Sequence, residues 1–171
     1  MSDLQKLHTK LCRELAQSEY AANVHTWREA KRLGTTPPAE ALRAISEHAR
    51  DQRPRFEALM SRGNQTADVK VGHSVGEIFS TVRHVLFDRL IDSERSYRGT
   101  LLGLHRGVDI VRLLREVSCR EGDSYLMRFC DEWLLERLCL LEQAEQALAF
   151  FAEEPSRALA SGFGGTLQAS R

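Results

Sequence analysis

The sequence holds only four prolines and four cysteines in 171 residues, and neither charge exceeds the other, with 24 Lys and Arg against 24 Asp and Glu. Each scarcity excludes something. Balanced charge leaves no net field to draw in nucleic acid, an acidic membrane or a polyanionic substrate, so no nucleic-acid partner is expected. Cys12, Cys119, Cys130 and Cys139 are scattered without a CxxC pair, and no apolar leader-like run opens the chain; reduced thiols and a cytoplasmic location are therefore expected. No apolar stretch approaches the roughly 18 to 20 residues needed to span a bilayer, which predicts no membrane insertion. Apolar and polar residues never alternate for long, so no strand is expected.

What remains is helical periodicity. Ser2 and Gln5 have the spacing of a capping box ahead of Leu4, Leu7, Leu11, Leu15, Ala22 and Leu33, which predicts a first helix over about 3–33. Gly34 suits the end of that helix. Thr36 before Pro37 suits the start of a second, whose stripe is Leu42, Ile45, Ala49, Phe56 and Leu59 and whose interior Pro54 removes one backbone donor. Three glycines between Gly63 and Gly76 mark the link between two hairpins. From Val75, the residues Phe79, Val82, Leu86, Leu90, Tyr97, Leu101 and Leu104 predict a long third helix. Gly107 is then expected to separate it from a short connector helix over about 108–120. Asp123 caps a fourth long helix striped by Leu126, Phe129, Trp133, Leu140, Ala144, Leu148 and Phe151.

Two hairpins of amphipathic helices can bury their stripes only against one another, so the predicted fold is all-α, an antiparallel four-helix bundle over residues 1–154. The Gly-, Ser- and Ala-rich stretch 155–171 is expected to be a flexible tail, with Phe163 and Leu167 as the only candidates for a docking peptide.

Bundles build metal sites from polar residues that interrupt such stripes. Here these are Glu19 in the first helix, Glu94 in the third, and Glu132 and Glu136 flanking Trp133 in the fourth. The segments SEYAANVHTWREAKRLG with ISEHARDQRPRFEALM, and DSERSYRGTLL with CDEWLLERLCLLEQA, resemble the ligand hairpins of the ferritin-like superfamily, particularly its rubrerythrin-type members and related bundles of unknown function. The resemblance implies a carboxylate-bridged iron site, a role in stress physiology, and Glu19 and Glu94 as its single carboxylates. It also implies Glu-x-x-His in the other two helices. This chain departs there, with Gln52 and Arg55 in the second helix and Glu136 with Cys139 in the fourth. Glutamine is a poorer ligand and a guanidinium cannot coordinate. The sequence therefore predicts no resident cofactor, with Arg55 turned inward to pair with Glu19 in the space of a lost metal. A register through Glu14, Glu47 and His48 keeps more ligands but loses the Glu-to-His spacing.

His25 with Glu29 and His84 with Asp88 have helical i, i+4 spacing, which reads as surface pairing or a core hydrogen bond, since two ligands do not close a site. Arg50, Arg53 and Arg55 alternate with Asp51 and Glu57 and read as a charge-balanced face. Cys130 and Cys139 read as small core residues, Tyr97 and Trp133 as packing anchors. The functional expectation is a non-enzymatic bundle acting through a protein partner or as a homodimer, with Val108, Val111 and Leu114 as the contact patch. The alternative is iron or another divalent metal held by Glu19, Glu94, Glu132 and Glu136, with oxidase or storage activity.

Overall fold

The structure, a computed structural model, describes residues 1–62 and 91–161. The described residues are all-α: α1 (Asp3–Leu33), α2 (Pro37–Arg62), α3 (Ser93–Glu121), α4 (Ser124–Gln146), α5 (Ala149–Glu153) and α6 (Pro155–Ala158). Among them there is no strand, only an isolated bridge between Asp92 and Ser161. No described helix is long and apolar enough to cross a membrane.

The helix ends follow from local chemistry. Ser2 accepts from the Gln5 amide at 3.2 Å while Gln5 Oε1 accepts from the Ser2 amide at 2.9 Å, a complete capping box. Thr36 Oγ1 accepts from the Ala39 amide, and Asp123 accepts from the Leu126 amide at 2.9 Å. Gly34 and Gly122 both adopt a φ near +73°, which a side chain would strain, and so end α1 and α3.

α1 packs along α2 and α3, and α4 packs along the same two helices. Cross-helix bonds fix the directions. Arg43 reaches the Gly34 carbonyl and Ser46 reaches Asn23, so α2 runs back along α1. Ser96 bonds Glu29 and His8 bonds Glu121, so α3 also opposes α1. Tyr97 bonds the Ala144 carbonyl and Arg115 bonds Asp131, so α4 opposes α3. Leu15, Leu42, Ile45, Leu114, Trp133 and Leu141 fill the shared interior.

Three expectations are corrected here. No separate connector helix exists: α3 runs unbroken from Ser93 to Glu121. Gly107 lies inside it, where a Cβ would come within 2.7 Å of Ser18 Oγ on α1. This glycine serves close helix packing and ends nothing. Val108, Val111 and Leu114 are consequently buried against α1 and α4 and offer no patch for a dimer. The fourth helix stops at Gln146, and the chain reaches Glu153 through the separate short α5. The expected start of the third helix over 75–90 lies outside the described residues.

Residues 155–161 open the stretch read as a tail; all but Ala158 are exposed, and the segment is tied to α3 at one point. Ala158 is buried, and the Ala160 carbonyl accepts from both the amide and the hydroxyl of Ser93, at 3.1 and 2.8 Å. Phe163 and Leu167 lie outside the described residues.

Candidate functional site

One level of the interior is polar. Arg137 follows Trp133 by one helical turn on α4, so its stem points into the core, and the residue is only 1% exposed. Its Nη2 donates to Glu19 Oε1 and Oε2 on α1, at 3.1 and 2.9 Å. Its Nε donates to His48 Nδ1 on α2 at 3.1 Å, and the guanidinium stacks 4.6 Å from the centre of the Trp133 ring. A guanidinium has no acceptor, so His48 Nδ1 must carry the lone pair and the imidazole is neutral with its proton on Nε2. That Nε2 stands 3.1 Å from Glu136 Oε2, close enough for attraction but misaligned for a hydrogen bond.

Burial sets the electrostatics. It pushes the Glu19 carboxyl up from its ordinary value, and Arg137 pulls it part of the way back. Burial pushes Arg137 down while Glu19 supports its charge. A guanidinium starts so far above neutrality that Arg137 keeps its charge. Burial first, and Arg137 second, push His48 down to about 4. From His48 the polar chain runs outward. Gln52 Nε2 donates to Glu136 at 2.9 Å, Arg55 Nη1 donates to Gln52 Oε1 at 3.0 Å, and Arg55 and Arg128 both grip Glu132.

The expected residues are thus distributed, not gathered. Glu19 is in the core, held by Arg137. Glu132 and Glu136 lie at the surface end of the network, and Glu94 stands in the first turn of α3, half-buried and bonded to Arg98 at 2.7 Å. Among the described residues no three His, Cys, Asp or Glu side chains are arranged to hold a metal ion. Arg55 is corrected: it is 47% exposed and pairs with Glu132, and Arg137 fills the place beside Glu19. Gln52 is buried as expected. Cys139 is exposed, contrary to its reading as a core residue, while Cys130 and Cys12 are fully buried and burial pushes both thiols up to about 12. Tyr97 and Trp133 are buried packing residues. Arg50 and Arg53 pair with Asp51 and Glu57 on a charge-balanced face. Glu47 is exposed and Glu14 pairs with Lys10, so only His48 of the alternative register enters the site. His84 and Asp88 lie outside the described residues.

Sequence reasoning missed Arg137 and a second pair, half-buried, between Glu29 and Arg32. Trp133, Arg137, Leu141 and Ala144 form one inward stripe, and the signal was the i+4 step from Trp133; a cation there reads as surface unless its partner is known. On α1, Glu29 is gripped by Arg32 and accepts from Ser96 at 3.1 Å, while Arg32 also reaches Ser93. The Glu19–Arg137 pair ties α1 to α4 across the interior, the Glu29–Arg32 pair ties α1 to α3 through Ser93 and Ser96, and neither presents an open nucleophile. The chain matches no family model, no curated protein and no solved structure in these comparisons.

Proposed function

We propose that the chain is a non-enzymatic, ferritin-like antiparallel four-helix bundle that acts through protein interaction or self-assembly. The pairwise opposed runs of α1 to α4 support the bundle. The buried Arg137 carries the non-enzymatic part. In bundles of this kind the interior level is where carboxylates and imidazoles converge on metal. Here a cation without a lone pair lies between Glu19 and His48, the two groups best placed to be ligands, and bonds both. A metal ion would have to displace that guanidinium into an apolar core, at a cost of several kcal/mol for an unpaired buried charge.

Elemental analysis of protein purified after iron supplementation tests this. Substoichiometric iron, unchanged in a Glu19→Ala variant, is expected. Stoichiometric iron that disappears in Glu19→Ala or Glu136→Ala would replace the proposal with the metal-dependent reading.

A further inference from the structure

The charge balance of the whole chain conceals a division between helices. Along α1 from Tyr20 to Arg32 the sole acidic residue is Glu29, which is buried and paired, while Arg28 and Lys31 stand exposed. Arg28 makes no ion pair among the described residues, and Lys31 lies over the Trp27 ring at 5.3 Å. Tyr20 and Trp27, two turns apart, are exposed on the same side. α4 has the opposite character. From Leu135 to its end at Gln146 the one cation is the buried Arg137, while Glu136, Glu142 and Glu145 are exposed. Leu135 is 76% exposed and Leu138 accompanies it one turn on, with Glu145 bonded only to the equally exposed His105.

We propose that the outer face of α1 in one copy of this chain docks on the outer face of α4 in a second copy. Resting on the interaction reading above, the contact sets Tyr20 and Trp27 against Leu135 and Leu138, and Arg28 and Lys31 against Glu142 and Glu145. The dimensions agree. At 1.5 Å per residue, Tyr20 to Lys31 and Leu135 to Glu145 each span roughly 15 Å. Each face holds its apolar pair first and its charged pair second along its helix, so the two match with the helices running parallel. Aromatic rings beside unpaired cations, facing leucines beside carboxylates, supply an apolar centre and a complementary charged rim.

α1 and α4 both pack against α2 and α3, which turns their outer faces in different directions, and one copy cannot bring its own two faces together. The contact is therefore heterologous. It leaves a free basic face at one side of every pair and a free acidic face at the other, so it propagates into a ring or a filament.

Sedimentation velocity on the full chain decides it. The weight-average mass should rise with concentration and fall with salt. Arg28→Glu/Lys31→Glu and Glu142→Lys/Glu145→Lys should each weaken self-association roughly a hundredfold, because like charges then face each other. Circular dichroism of each variant confirms that its helices are intact. An equimolar mixture of the two variants should associate again, since each reversed face meets its complement on the other chain. A chain that stays monomeric at every concentration, association that survives both reversals, or a mixture that fails to recover would each overturn the contact. Loss of association with the α1 reversal alone would assign that face to a different acidic surface and also overturn it. Stoichiometric iron, by contrast, would remove the non-enzymatic reading without altering any of these masses.

Discussion

Replacing Glu19 by methionine should destabilise the fold more than replacing Arg137 by methionine, although arginine is the larger side chain. Glu19→Met removes both oxygens that hold Nη2 and leaves the 1%-exposed guanidinium with His48 Nδ1 alone. A cation stranded in that way costs about 3 to 5 kcal/mol, because it has no accessible neutral form. Arg137→Met strands a carboxyl instead. Burial already pushes Glu19 toward its protonated form, so it neutralises itself, and the loss falls to about 1 to 3 kcal/mol for missing hydrogen bonds. The double variant removes both charges and fills the space with apolar atoms of similar volume. It should be more stable than Glu19→Met alone, with His48 Nδ1 as the one group that loses its donor. The two losses are thus strongly non-additive, by about 3 kcal/mol. Urea unfolding followed by far-UV circular dichroism gives all four corners of the cycle, provided the slope with denaturant stays constant. If the double variant loses the sum of the single losses to within about 0.5 kcal/mol, the buried pair does not act as a unit and the reasoning fails.

Two further outcomes follow from the same geometry. His48 is held neutral in the fold, pushed down to about 4 from 6.5, so its contribution is present in full above pH 6.5 and is lost as pH falls toward 4. At about 1.4 kcal/mol per pH unit this amounts to about 3 kcal/mol at most. The stability difference between the unchanged chain and His48→Gln should therefore shrink across that window, and parallel pH profiles would refute the neutral imidazole. Gly122→Ala should cost about 1 kcal/mol through backbone strain at φ +74, since no atom lies within 4 Å of the added methyl; an unchanged urea midpoint would count against that.

The long helices were legible because their signals are local. Ser2 with Gln5, Gly34, Thr36 with Pro37, and Asp123 each act within a few residues, and each performs the capping or chain-ending role that its chemistry suggests. The site was legible only in part. Glu19 was placed inside correctly because it interrupts an apolar stripe, and Gln52 because it stands where the family resemblance puts an inward ligand. Arg137 was not, although about 100° per residue puts it within the stripe through Trp133 and Ala144, because a cation at such a position reads as a surface residue until its partner is known. Gly107 misled for a related reason. A glycine reads as a break in one dimension, whereas its value here is the approach of Ser18 from another helix. Burial of a charge, or loss of a side chain at a crossing, is decided by partners distant in sequence.

The start of α3 has a consequence for how the chain must assemble. Asp92 makes no side-chain cap, and the first amide of the helix is satisfied instead by the Ala160 carbonyl, 67 residues further on. Synthesis delivers that acceptor only after α4, α5 and α6 have been made. The opening turn of α3 therefore waits, solvated, until the far end of the hairpin folds back over it, and shortening the chain before residue 160 would loosen a helix whose own sequence is untouched.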